Sequence, residues 1–169
     1  MEFKNWLFKE EVSLRIKKQS HNHDCGPAAL HSILSHFNIK VDYDKLVKQC
    51  KTTKNNGTNP ENLIKIAKLY GLKAHEYKNM TIKQLKKFTK QQKPIIASIQ
   101  SWGNEKNKQN INSGHYVIVT KVDEKFVYFK DPFYQSKDNR KMNINDFSHD
   151  WIDKNDEKIL NHFGVVFES

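Results

Sequence analysis

The chain has 169 residues, a length typical of one domain, and can bury about two thirds of the surface that its unfolded form exposes. Hydrophobic residues make up 37% and charged residues 28%, and no apolar run reaches the roughly 18 residues of a membrane span. Residues 1–19 lack the apolar segment of a signal peptide, and two cysteines are too few for a disulfide framework. We therefore expect a cytoplasmic protein with a single domain over residues 1–169.

The formal net charge of +10 raises the question of nucleic-acid binding. Of the 29 basic residues, however, only Arg15 and Arg140 are arginines, and phosphates and bases are usually recognised by the bidentate guanidinium group. The lysines fall on the polar faces of predicted helices, as in "NLIKIAKLY" and "TIKQLKKFTK". We interpret the charge as a solvated surface and do not expect a nucleic-acid partner.

The first half of the chain has the periodicity of α-helices. Each predicted helix has an apolar stripe, and suitable N-cap residues or a first-turn proline mark where the helices begin. We predict helices from Cys25 to about Phe37, after Asp42, from Pro60 behind Asn59 to Gly71, and from Thr81 to about Gln91.

The second half has the composition of β-strands, which are rich in β-branched and aromatic residues. Four segments fit this description, and a small helix, "INDFSHDWI", precedes the last of them. Helices first and antiparallel strands afterwards predict an α+β fold with two lobes. The predicted strands are "PIIASIQ", "HYVIVTKV", "KFVYFKD" and "FGVVFE".

Cys25 is the candidate nucleophile. Free cysteines are usually buried and inert, but Gly26-Pro27 places this one at the start of a helix because proline fits only the first turn. A thiolate there faces the positive end of the helix dipole, which stabilises it. Asp24 opposes this effect as an adjacent anion, unless its carboxylate caps the helix. Cys50 lies on an apolar stripe, and we interpret it as a core residue.

A nucleophilic thiol needs a base and a group that orients the base. Among eight histidines, His115 differs because it opens an apolar strand directly after a glycine, and Asp131 ends the next strand. A hairpin centred on Asp123 would place His115 opposite Asp131, with Cβ atoms about 4.5 to 5.5 Å apart. The carboxylate would then hold the imidazole through Nδ1. The turn "VDEK" lacks the glycine or asparagine that fixes a tight hairpin, so the sequence leaves this register open.

Gln19 lies six residues before Cys25, and its amide N–H together with the Cys25 backbone N–H would form a two-donor oxyanion hole. The pattern "Q-x5-C-G-P-A", then "G-H-Y-V-I-V", then "D-P" sixteen residues after the histidine resembles the bacteriocin-processing cysteine peptidase family of the papain-like superfamily. The resemblance extends from about Arg15 to Phe167. It includes "GTNPENLIKIAKLYGLKA", which is similar to the family's Gly-Thr turn, helix and following strand.

The resemblance implies a papain-like two-lobed fold, in which an N-terminal helical lobe packs on a C-terminal antiparallel sheet with the active site between them. It implies Cys25 as nucleophile, His115 as general base and acid, Asp131 as the residue that orients His115, and Gln19 in the oxyanion hole. The best-known members are cytoplasmic peptidase domains of export transporters, which act on leader peptides ending in a double glycine.

We therefore expect a peptide or protein substrate, with an export transporter as a candidate partner. The chain has no predicted membrane segment and no phosphate-binding "GxxxxGK[ST]" motif. From the resemblance we expect a free-standing relative or an excised transporter domain.

Other interpretations stay open at this point. Transglutaminase-like enzymes and arylamine acetyltransferases use the same order of cysteine, histidine and aspartate for acyl transfer. A catalytically silent peptide-binding module would use the cleft without turnover. A zinc site could draw on His21, His23 and Cys25, but no second cluster completes four ligands. We expect neither a metal nor a cofactor, and we expect His21, His23 and the polar loop 101–113 to border the cleft.

Overall fold

A computed structural model describes residues 10–100, 114–134 and 139–169. This part of the chain forms five α-helices and eight β-strands. The helices are α1 (Cys25–His36), α2 (Tyr43–Gln49), α3 (Pro60–Leu69), α4 (Ile82–Lys90) and α5 (Ile144–Asp150). The strands are β1 (Lys73–Tyr77), β2 (Ile95–Gln100), β3 (Gly114–Val122), β4 (Phe126–Lys130), β5 (Arg140–Asn143), β6 (Ile152–Asn155), β7 (Lys158–Asn161) and β8 (Gly164–Glu168).

Local side-chain chemistry sets where the helices begin, as the sequence predicts. Asp42 and Asn59 accept hydrogen bonds from backbone N–H groups in the first turns of α2 and α3. Thr81 and Gln84 form a reciprocal capping box at the start of α4. Gly71 follows α3 with a φ of +88°, a conformation that glycine adopts without strain. The five predicted helices are therefore confirmed, each to within a residue or two.

The strands form a six-stranded antiparallel sheet in the order β1-β8-β2-β3-β4-β5, and β6 and β7 form a separate hairpin. All four strands predicted from composition are present. Of the other four, β1 matches the strand that the resemblance implied after "GLKA". The composition did not predict β5, β6 and β7, whose sequences "RKMN", "IDKN" and "KILN" are short and polar. Short polar strands carry little compositional signal because they obtain their stability from pairing and packing.

The sheet separates two hydrophobic clusters. Ile96 and Ile118 project to one face, where they join Leu30 of α1 and other buried residues of α1–α3. Val117 projects to the other face and joins Leu85 of α4 and residues of α5. The α+β class with an antiparallel sheet is confirmed. The helices are shared between both faces, however, because α4 and α5 cover the side opposite to α1–α3.

The predicted hairpin register between β3 and β4 is wrong by two positions. The structure pairs Ile118 with Lys130 and Val119 with Phe129, and the register shifts again after a bulge at Thr120. The carbonyl oxygen of Thr120 accepts a hydrogen bond from the backbone N–H of Val12, at 2.9 Å. The N-terminal segment thus satisfies a backbone group of the bulged strand.

Candidate active site

Cys25 is the first residue of α1 and is buried, with 9% of its surface exposed. Its backbone N–H belongs to the first turn, whose N–H groups have no intrahelical acceptor. Gly26 allows the helix start to approach its surroundings closely, since a Cβ there would lie 2.9 Å from the Thr58 side chain and 3.3 Å from Tyr116. The N-terminal end of α1 thereby packs closely against strand β3 and the turn before α3.

Asp24 does not cap α1 with its side chain, which was one of the two possibilities that the sequence left open. Its carboxylate instead accepts hydrogen bonds from the backbone N–H groups of Ser20, at 3.1 Å, and His21, at 2.8 Å. The hydroxyl of Tyr43 donates a third, at 2.9 Å. Asp24 is 1% exposed. Its charge is thus directed to the loop that carries Gln19.

His115 and Asp131 lie in contact, and both are almost completely buried. The Nε2 atom of His115 lies 2.6 Å from Oδ1 of Asp131, so the expectation that Nδ1 makes this contact is wrong. His115 and Asp131 remain in contact although the hairpin register differs from the predicted one, because a shift of two residues keeps side chains on the same face of a sheet. Diagonal neighbours across two strands remain within reach of each other.

Asp131 engages only one of the two ring nitrogens of His115, and Cys25 is close enough to the imidazole to raise its pKa. Burial by itself would lower the pKa of His115, but the interactions with Asp131 and Cys25 outweigh it and raise this pKa to about 10. Burial would likewise raise the pKa of the Asp131 carboxyl, but His115 and nearby donors hold that pKa below its ordinary value. The site therefore favours an imidazolium ion beside the Asp131 carboxylate.

Arg140 is a member of this cluster that the sequence interpretation missed. Its Nη1 atom donates a hydrogen bond of 3.0 Å to Oδ2 of Asp131, and its guanidinium group lies 4.2 Å from the centre of the Tyr134 ring. The backbone N–H of Phe133 also donates to Asp131, at 2.9 Å. The only available signal was that Arg140 is one of two arginines in a lysine-rich chain.

Gln19 is buried, with 8% of its surface exposed, and its backbone N–H donates to the carbonyl oxygen of Pro132 at 2.8 Å. This bond joins the loop before α1 to the segment that follows Asp131. The side-chain amide donates to the carbonyl oxygen of His21 at 2.6 Å. Within the described part of the chain, Oε1 of Gln19 has no hydrogen-bond partner.

A cleft of about 390 Å³ opens beside Cys25. His23 and Cys25 line one side, the turn at Gly57 and Thr58 a second, and β3 and the β6–β7 hairpin the remainder. His23 therefore lies in the cleft wall, as expected. His21 does not line the cleft but stacks on His23, with the two ring centres 5.3 Å apart. The loop 101–113, also expected there, lies outside the described residues.

Asp153 of β6 is a second residue of the cleft that the sequence interpretation missed. It is 7% exposed, and it accepts hydrogen bonds from the Ser98 hydroxyl, at 2.7 Å, and the Lys154 backbone N–H, at 2.6 Å. Burial raises the pKa of its carboxyl to about 6. No sequence signal identified it, because β6 itself was not predicted.

Cys50 is completely buried, and burial raises the pKa of its thiol to about 12, so its interpretation as a core residue is confirmed. The residues in ranges 10–100, 114–134 and 139–169 include no cluster of three or more histidine, cysteine or acidic side chains suited to a metal ion. In the same ranges, every helix is too short or too polar to cross a membrane.

Comparison with known proteins places the chain in a family. The model of the peptidase C39 family matches residues 13–155. No curated protein sequence matches the chain. Among solved structures, the chain is similar to a double glycine motif protease from an AMS/PCAT transporter in complex with its leader peptide. The two share 22% identity with a TM-score of 0.66, over 93% of this chain and 92% of that chain.

Two further solved structures have the same fold. The peptidase domain of Streptococcus ComA, a bifunctional ABC transporter involved in quorum sensing, is 20% identical with a TM-score of 0.68, over 90% of this chain and 96% of that one. A C39-like peptidase from Bacillus anthracis is 18% identical with a TM-score of 0.70, over 94% and 98%. Because the family model spans most of the chain, the chain belongs to the peptidase C39 family and is a cysteine-type peptidase.

Proposed function

We propose that Cys25, His115 and Asp131 are the catalytic residues and that Gln19 contributes to the oxyanion hole. The observation that supports this most directly is the buried hydrogen bond between His115 and Asp131, with Cys25 close enough to the His115 ring to raise its pKa. Arg140 donates a hydrogen bond to the second carboxylate oxygen of Asp131, which helps to fix the orientation of that carboxylate. The arrangement meets the requirement for a nucleophile, a base and a group that orients the base.

In the proposed reaction these residues act in sequence. The Cys25 thiolate attacks the peptide carbonyl carbon while His115 carries the proton. The resulting oxyanion accepts hydrogen bonds from the Cys25 backbone N–H and from the second amide N–H of Gln19, whose first is bound to His21. His115 then protonates the leaving amine, and a thioester with Cys25 remains. His115 next takes a proton from water, which hydrolyses the thioester and restores the free enzyme.

For the substrate we propose a leader peptide that is cleaved during export. Two structures of similar fold are peptidase domains of transporters, and one of them is a double glycine motif protease bound to its leader peptide. An export transporter is accordingly the partner that we propose, with the reaction taking place in the cytoplasm on a single domain spanning residues 1–169.

Hydrolysis of a peptide with a double glycine tests both the activity and the substrate class. We expect mass spectrometry to find cleavage after the second glycine by the wild-type protein and by Cys50→Ala, and none by Cys25→Ala. Cys50→Ala is the matched control because that thiol is buried in the core. Cleavage by Cys25→Ala would refute the mechanism. Cleavage of other peptides but not of this one would refute the substrate class, and product joined to an added amine would favour the acyltransferase alternative.

Alkylation of the thiols tests the catalytic pair without a substrate. We expect iodoacetamide to modify Cys25 rapidly at pH 6 because His115, whose pKa is about 10, stabilises a thiolate as an imidazolium. Cys50 should stay unmodified because it is buried and its pKa is about 12. His115→Ala should remove the fast reaction at pH 6. Slow labelling of Cys25 in the wild-type protein would instead favour a catalytically silent binding module.

A further inference from the structure

The carboxylate of Asp153 occupies the position that a side chain at residue 114 would take. A Cβ built on Gly114 would lie 2.0 Å from Cγ and Oδ1 of Asp153 and 2.1 Å from Oδ2. Gly114 directly precedes His115, and both Gly114 and Asp153 line the cleft together with Cys25. The absence of a side chain at Gly114 thus makes room for an acidic group beside the proposed catalytic residues.

Asp153 has no cationic partner among the described residues. Its two hydrogen-bond donors, the Ser98 hydroxyl and the Lys154 backbone N–H, are both neutral. Lys54 and Lys154 also line the cleft, but neither forms an ion pair with Asp153, and both side chains are exposed. An ionised carboxylate can accept about four hydrogen bonds, so part of its capacity remains unused.

A buried carboxylate without a cation is unfavourable, and buried charges in proteins are normally paired. Here the carboxylate lies in the wall of an open cleft, so a bound molecule can supply the missing charge. Cys25 lines the same cleft, so a peptide whose carbonyl group lies at Cys25 is placed close to Asp153. A guanidinium or ammonium group compensates the negative charge of a buried carboxylate best, because it forms charge-assisted hydrogen bonds with the carboxylate oxygens.

We propose that Asp153 determines substrate specificity by binding a lysine or arginine side chain of the peptide close to the scissile bond. This inference rests on the peptidase function proposed for the same site and adds a substrate requirement to it. The other acidic residue of the cleft, Asp156, is exposed and lies in the β6–β7 turn, where solvent screens its charge. Asp153 therefore provides the stronger attraction for a cation.

A peptide library tests the proposal without knowledge of the natural substrate. Each position within three residues of the cleaved bond is occupied in turn by arginine or by citrulline, which has the same shape but no charge. We expect the wild-type protein to prefer arginine at one position by about 10-fold or more in kcat/KM. Asp153→Asn should reduce this ratio to below about 2-fold. The substitution is close to isosteric and retains groups that can bond to Ser98 and Lys154.

The ratio of two rates on one protein sample is insensitive to the fraction of folded enzyme, so partial unfolding of the variant does not obscure the result. Asp156→Asn is the matched control, because it removes an exposed charge from the same cleft and asparagine tolerates the positive φ of +52° found there. We expect it to keep the preference for arginine.

Three outcomes would overturn the inference. The wild-type protein could show no preference for arginine at any position, Asp153→Asn could retain the preference, or Asp156→Asn could remove it. Cleavage that depends on Cys25 but shows one of these patterns removes the inference and leaves the proposed function standing. Absence of Cys25-dependent cleavage from the whole library would remove both.

Discussion

The burial of the Asp153 carboxylate has a predictable effect on the free energy of unfolding. Because burial raises its pKa from 3.8 to about 6, the folded protein is destabilised when this group ionises. At 1.36 kcal/mol per pKa unit, the difference corresponds to about 3 kcal/mol. Asn at this position carries no charge, so Asp153→Asn should raise the free energy of unfolding at pH 8 by about 1–3 kcal/mol. The lower figure allows for a weaker hydrogen bond to Ser98.

The size of this stability difference depends on pH, and its sign does not change. Below pH 3.8 Asp153 is protonated in both the folded and unfolded states, and its ionisation then contributes nothing to the difference between wild type and variant. As the pH rises from about 4 to 6 the unfolded state loses its proton first, and the wild-type protein loses stability relative to the variant. Above pH 6 the full difference is present.

Urea denaturation at pH 4 and pH 8 measures this difference through tryptophan fluorescence, to which the buried Trp151 contributes. Glu157→Gln, which removes an exposed charge in the β6–β7 turn, is the control and should change stability little at either pH. An Asp153→Asn protein that is no more stable than wild type at pH 8 would refute the reasoning. So would a stabilisation of equal size at pH 4, because that could not come from ionisation.

Two further changes test the geometry of the site. Asp131→Asn should lower kcat about 10²–10⁴-fold with little change in KM, since the imidazole loses the carboxylate that orients it. The upper pH limit of kcat/KM should also move to lower pH, because the hydrogen bond to Asp131 helps to hold the His115 pKa near 10. Gly114→Ala should lower kcat/KM about 10-fold or more, since the new Cβ would lie 2.0 Å from Asp153 Cγ and displace β3 or β6.

Each of these two predictions can be contradicted by a specific result. Near-normal turnover by Asp131→Asn would mean that its hydrogen bond to His115 has no catalytic role. For Gly114→Ala the matched control is the double variant with Asp153→Ala, which removes the atoms that clash. The double variant should recover part of the lost rate, and strictly additive losses would show that the two residues do not interact.

Much of the architecture follows from local patterns. Helical stripes, N-caps at Asp42, Asn59 and Thr81, and β-branched runs are readable in short windows because neighbouring residues determine them. Cys25 at a helix start is also a local feature, since Gly26-Pro27 specifies it. The identity of the His115 partner was predicted correctly even though the register was wrong, because a shift of two residues preserves the face of a strand.

The remaining features of the site depend on contacts between distant parts of the chain. Arg140 reaches Asp131 from β5, and Asp153 of β6 meets Ser98 of β2 across 55 residues of sequence. Both β5 and β6 are too short and polar to be predicted. The bulged part of β3 also contacts a distant segment, since the backbone N–H of Val12 donates to the carbonyl oxygen of Thr120.

The sequence by itself thus determined the secondary structure of most elements, the α+β class and the set of residues proposed for catalysis. Only the tertiary structure decided which imidazole nitrogen contacts Asp131, where the carboxylate of Asp24 is directed, and that Asp153 is buried in the cleft. The physical reason is that hydrogen-bond partners and burial depend on how separate elements pack. No short window of sequence contains that information.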